Sequence, residues 1–154
     1  MRTIQTILLL IMCLTFIGCE DSVQQNNAMT GDKLYIPDGY KTQLFTLNLI
    51  EVAPLPYFTK PFICVTKDAN GQQFGVVFHS TDKVDIVRLP ISYEEIIKRV
   101  ESKGFIVNVS TSSFNNLHMF EINNDLFWNF EDGLGEVWLN INGEFVLNPF
   151  KRTH

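Results

Sequence analysis

The chain has 154 residues, 45% of them hydrophobic, and 17 acidic against 12 basic side chains give a formal charge of −5. That length suits one domain with a sizeable core. The acidic balance, with no basic block beyond Lys151-Arg152, excludes nucleic acid as a partner and disfavours anionic lipid surfaces, because phosphate neutralisation needs clustered Lys and Arg.

At the N-terminus, the α-amino group and Arg2 precede an apolar run from Ile7 to Ile17. This run is too short to cross about 30 Å of hydrocarbon as a helix, so it reads as a secretory signal and not as a permanent span. No small-x-small cleavage pattern of the A-x-A type occurs before Ala28; instead Phe16-Ile17-Gly18-Cys19 closes the run. That segment resembles the lipobox of bacterial lipoproteins, with Phe16 where Leu is usual and Ile17 where Ala or Ser is usual. The resemblance covers residues 1–19 only. It implies a signal peptide over 1–18, lipidation of Cys19 and attachment to a membrane of the bacterial cell envelope through covalent lipid. At about 0.8 kcal/mol per buried methylene, two or three acyl chains anchor stably without help from a charged face. With Cys13 removed and Cys19 acylated, Cys64 is alone and no intramolecular disulfide is expected.

Residues 19–33 then form a lipidated N-terminus and a polar tether without apolar periodicity, about 20 Å long on average and about 48 Å at full stretch. Glu20 and Asp21 follow the cysteine directly. An acidic residue there resembles the inner-membrane retention signal of enteric bacteria, and an acidic cluster resembles the surface-export signal of Bacteroidetes lipoproteins; the outer membrane is the favoured location, facing periplasm or surface.

Residues 34–154 read as a single α+β domain, predominantly antiparallel sheet with one well-specified helix. Phe45, Leu47 and Leu49 alternate with polar residues and predict a strand over 42–52 that ends before Pro54 and Pro56, leaving 53–61 as a connection. Strands over 62–67 and 72–79 flank Asp68-Ala69-Asn70-Gly71, a hairpin in which Gly71 supplies positive φ. A strand over 84–89 follows. Ser92-Tyr93-Glu94-Glu95 is a capping box that opens a helix over 93–103, with Tyr93, Ile96, Ile97 and Val100 on one face and Gly104 at the left-handed stop. Strands are predicted over 105–109, 117–122 and 126–130. The last hairpin, 136–141 with 144–147, has Asn142-Gly143 as a two-residue type I′ turn.

Catalytic constellations are thin. His79, Ser80, Asp82 and Asp85 form the densest polar group, yet adjacent strand residues face opposite ways, so His79 and Ser80 read as a strand end entering a turn. Cys64 and His79 do not meet across their hairpin in either plausible register. His118 and Glu121 face opposite sides of one strand and lack a third ligand, and the acidic group Asp125, Glu131, Asp132 and Glu136 lacks the spacing of a calcium loop. No metal or cofactor is expected, and no catalytic residue is assigned.

The aromatic residues Phe114, Phe120, Phe127, Trp128, Phe130, Trp138, Phe145 and Phe150 are dense for so short a segment. Most suit a core. Phe127 with Trp128, and Val137 with Trp138, must point to opposite faces, which makes Trp128 and Trp138 the candidate binding residues for a protein or glycan. Three functional classes follow, in descending order: a non-catalytic binding or accessory lipoprotein, an immunity or inhibitor lipoprotein against a toxin or hydrolase, and an envelope hydrolase using Asp125, Glu131 or Asp132. The last requires two carboxylates about 5 to 9.5 Å apart across a cleft.

Overall fold

The computed structural model describes residues 34–80, 82–108, 116–133 and 135–151. The signal segment, Cys19 and the tether lie outside the described residues. In chain order the elements are α1 (Tyr40–Thr46), β1 (Ile50–Leu55), β2 (Phe62–Lys67), β3 (Gln73–Phe78), β4 (Val84–Arg88), α2 (Tyr93–Glu101), β5 (Leu117–Ile122), β6 (Asp125–Asp132), β7 (Gly135–Asn140) and β8 (Phe145–Val146). Strands β1–β4 form one four-stranded sheet and β5–β8 another, each in sequence order and antiparallel throughout. The fold is thus α+β and predominantly antiparallel.

Period-two alternation sorts the side chains into layers. Ile63, Val65 and Val77 of the first sheet share a core with Leu117, Met119, Leu126, Trp128, Phe130 and Leu139 of the second. At Gly75 the two sheets pack closely: a Cβ there would stand 3.0 Å from Leu126 Cδ1 and 3.3 Å from Met119 Sδ. Helix α2 connects the sheets and adds Tyr93, Ile96 and Val100 to the same core, the stripe that the i, i+3, i+7 spacing predicts. The other face of the first sheet presents Phe62, Cys64, Val76 and Phe78 to Tyr40 and Leu44 of α1, making a second, smaller core.

The start of α2 is fastened twice. Ser92 Oγ accepts the Glu95 amide at 3.2 Å, the expected half of the capping box. The Glu95 carboxylate does not complete the box; it lies 3.5 Å from Arg99 Nε, one turn along. The second fastening comes from buried Gln73 of β3, whose Oε1 accepts the Tyr93 amide at 2.7 Å and whose Nε2 donates to Glu94 at 2.9 Å. One glutamine therefore satisfies a helix-terminal donor and a carboxylate at once.

Three predicted elements differ. Residues 42–46 belong to α1 and not to a strand: Tyr40 and Leu44, four apart, are buried, whereas Phe45 is 82% exposed. The outer face of the first sheet needs an apolar cover, and left-handed Gly39 and Asn48 bracket a helix that provides it. Strand β1 starts later than predicted and runs through Pro54 to Leu55, which its place at the sheet edge and a register irregularity between Glu51 and Ala53 permit. Residues 105–108 form no strand; Val109 lies outside the described residues.

Both hairpins with glycine turns are present. Asp68 Oδ1 accepts from the Asn70 and Gln72 amides, and Gly71 has φ +82°. The turn between β7 and β8, however, is not type I′. Only Gly143 is left-handed, and the Gly143 amide donates to the Asn140 carbonyl, so residues 141–143 form a three-residue loop. The two-residue left-handed turn occurs between β5 and β6 instead, at Asn123-Asn124, with φ of 55° and 67°.

Candidate functional site

Alternation along β5, β6 and β7 turns His118, Phe120, Asn129, Glu131, Glu136 and Trp138 to the outer face of the second sheet, away from the core. Where α1 covers the corresponding face of the first sheet, this face meets rings from two segments outside the strands. Tyr57, between β1 and β2, stacks edge-on to His118 and Phe120 at centroid distances of 5.2 and 4.8 Å. Phe150, in the short 3-10 turn Pro149–Lys151, contacts Phe120 at 6.0 Å and Trp138 at 5.5 Å. Phe120 and Trp138 are themselves 5.4 Å apart.

These rings wall a groove of about 460 Å³ whose polar lining comes from Lys60, Glu121, Asn129, Glu131 and Glu136. Asn129 is buried and its Nδ2 donates to Glu136 Oε1 at 3.2 Å; Asn148 Nδ2 donates to Glu136 Oε2 at the same distance. Both oxygens of Glu136 are thus held, and the carboxylate is fixed in the groove before any ligand arrives. With three carboxylates and one ammonium, the lining suits a neutral or cationic ligand and repels an anionic one.

The two tryptophans part company. Trp128 is 0% exposed, packed 5.9 Å from Tyr93 in the core between the sheets, so it offers no docking surface. Its inward direction is the same alternation that puts Phe127 on the other face. Trp138 is on the groove side, yet only 4% exposed, because Phe150 and Phe120 lie against it. Phe150, 64% exposed, is the accessible ring. Tyr57 carried no sequence indication of a role, since it arrives from a connection and not from a strand; Phe120, Asn129 and Glu136 are recoverable from the pattern of outward positions on β5, β6 and β7.

Of the proposed hydrolase carboxylates, Asp125 begins β6 and Glu131 and Asp132 end it. At about 3.3 Å per residue, Asp125 stands roughly 20 Å from Glu131, well beyond the spacing that glycoside hydrolysis needs. Glu131 and Glu136 are direct cross-strand neighbours on one wall, so they do not flank a bond from opposite sides.

Cys64 pairs with Val76 in the sheet and faces α1, whereas His79 follows β3 on the opposite face. Burial, followed by the nearby Glu51 charge, pushes the Cys64 thiol far above its ordinary range, which removes thiolate chemistry. Burial also lowers the His118 pKa.

His79 has different company from that suggested by spacing. Its Nε2 lies 2.8 Å from Asp85 Oδ2, across the β3–β4 turn, and its Nδ1 lies 3.5 Å from Glu121 Oε2 of β5, in the other sheet. Glu121 therefore belongs with His79 and not with His118, its near neighbour in sequence. Asp82 is not part of this group.

No protein-family model, curated protein or solved structure matches the chain.

Proposed function

We propose that this chain is a lipid-anchored protein of the bacterial envelope whose small domain binds a ligand without transforming it, and that the aromatic groove on the second sheet is the docking site. The observation that carries the reading is the groove itself: accessible Phe150 and the Phe120 and Trp138 rings behind it stand beside a Glu136 carboxylate already oriented by two amides. Rings take up the C–H faces of a sugar, while fixed carboxylate and amide groups take up its hydroxyls. A neutral glycan, or a glycan with free amines, fits that pairing and the acidic lining. No described helix is long and apolar enough to cross a membrane, so attachment in this reading rests on lipid at Cys19.

Titration of the full chain with a panel of neutral and amine-bearing oligosaccharides, followed by tryptophan emission, tests the groove. Saturable binding by at least one class is expected, weakened roughly tenfold or more by Phe150→Ser or Glu136→Gln, each corresponding to about 1.4 kcal/mol. Binding that ignores both substitutions, or none across the panel, refutes the assignment. The anchor has a separate assay: metabolic palmitate labelling is expected in the natural chain and lost in Cys19→Ala, and labelling that persists in the variant overturns it.

A further inference from the structure

The His79, Asp85 and Glu121 side chains converge at one margin of the two sheets, each offering a ligand atom within 4.8 Å of the others. Three separate segments supply them: the exit of β3, strand β4 and strand β5. Hence the group exists only when the two sheets are docked. We propose that this trio is a binding site for a transition-metal dication of the zinc class, which shares Glu121 with the lining of the glycan groove while His79 and Asp85 lie outside that groove.

Three arguments support it. The donor set, one imidazole nitrogen and two carboxylate oxygens, is the mixed nitrogen and oxygen set that zinc accepts, while calcium and magnesium favour oxygen alone. Asp85 Oδ2 lies 2.8 Å from His79 Nε2 and Glu121 Oε2 lies 3.5 Å from His79 Nδ1, on opposite edges of the ring, so an ion held at one nitrogen draws the other carboxylate toward it; with one ligand atom from each residue already within 4.8 Å of the others, that movement closes the set toward the separation of about 3.3 Å around a tetrahedral ion. Charge is the third. Among the described residues neither Asp85 nor Glu121 forms a salt bridge with Lys or Arg; the imidazole is their shared partner. Two carboxylates that converge without a Lys or Arg partner make a negative locus that a dication compensates.

Exposure divides the roles. The Asp85 side chain is 52% exposed and opens the site to solvent, whereas Glu121 at 16% and His79 at 22% form its walls. Three protein ligands with an open side leave a fourth position for water or for an outside donor.

The test uses the untagged full chain, freed of metal by chelation and dialysis, with zinc chloride alone as titrant in a calorimeter and cobalt chloride as a spectroscopic substitute. One zinc per chain is expected, with visible cobalt bands of low coordination number. His79→Ala, Asp85→Asn and Glu121→Gln should each weaken zinc by at least about tenfold, because even outer-shell changes typically cost 10- to 100-fold. Glu101→Gln, an exposed carboxylate at the end of α2, should leave affinity unchanged. Asp85→Asn alters a half-exposed side chain, so its effect is readable even if His79→Ala disturbs folding; circular dichroism of each variant separates the two. Zinc binding unaffected by Asp85→Asn and Glu121→Gln overturns the site. So does a chain that takes up no zinc yet loses stability in His79→Ala, which would identify an Asp–His–Glu clamp between the sheets.

Discussion

Replacing Gly143 by Ala tests how the strand that carries Glu136 and Trp138 is held. Gly143 has φ +74°, and an alanine there pays about 1–2 kcal/mol for the left-handed conformation. Its Cβ would also overlap Ile91 Cδ1 and stand 3.0 Å from Arg99 Nη1, the same atom that donates to the Gly143 carbonyl at 3.0 Å. Displacing Ile91 and loosening that bond adds about 1–2 kcal/mol, at the lower end of overpacking costs. Gly71 and Gly104 supply the comparison, since both have positive φ, 82° and 90°, and a Cβ at either meets nothing within 4 Å. Urea denaturation should therefore show Gly71→Ala and Gly104→Ala destabilised by about 1–2 kcal/mol and Gly143→Ala by about 2–4 kcal/mol. In an Arg99→Ala background the excess at Gly143 should shrink, because one of the two obstructing side chains is gone. Equal losses at all three glycines would refute the clamp between α2 and the β7–β8 loop.

Further outcomes follow from buried groups. His118 has its pKa lowered by burial, so the unfolded chain takes up a proton near its ordinary value of about 6.5 while the folded chain does so only at lower pH. Stability from this residue is present above that value and falls as the pH drops, levelling off below the folded pKa; His118→Phe, which keeps a ring against Tyr57, should narrow the difference in urea midpoint between about pH 7.5 and pH 5. An unchanged difference would mean that His118 is solvated. Cys64 should resist a water-soluble thiol reagent in the native chain and react only on unfolding, and fast native labelling would contradict its burial. Gln73→Leu should cost about 2–3 kcal/mol in the same urea assay, because it removes the acceptor of the Tyr93 amide and the donor to Glu94; a loss under about 0.5 kcal/mol would show that the second fastening of α2 is ornamental.

Much of the fold was legible because its governing physics is local. The stripe Tyr93, Ile96, Val100 behind a serine cap needs only helical periodicity, and Gly71 needs only a backbone that must turn left. The failures share a different cause. Phe45, Leu47 and Leu49 alternate as a strand does, but Tyr40 and Leu44 are what the first sheet buries, and that demand comes from Phe62 and Phe78, about twenty residues or more further along. Asn142-Gly143 fits a two-residue turn by composition, but the strand pairing that closes at Asn140 and Glu144 leaves three residues between them. Local preference was overruled in both places by partners distant in sequence.

The same distinction explains why neither candidate site could be read from spacing. A groove wall needs residues on one face of adjacent strands, so Phe120, Asn129 and Glu136 become recognisable once β5, β6 and β7 are paired, whereas Tyr57 and Phe150 require the path of two connections. His79, Asp85 and Glu121 need still more, because β5 belongs to the other sheet. A register slip of one residue would turn Glu121 outward and replace it by Phe120 or Ile122, dissolving the trio while preserving every strand. The sheets also pack closely at Gly75, two residues before Val77 and four before His79 on the same face of the strand. A larger residue at position 75 should therefore be felt at His79 before it unfolds the core. Gly75→Val, which adds bulk against Leu126 and Met119, is expected to weaken zinc uptake at a distance from any ligand; uptake as tight as in the natural chain would show that the margin holds its spacing independently of the core.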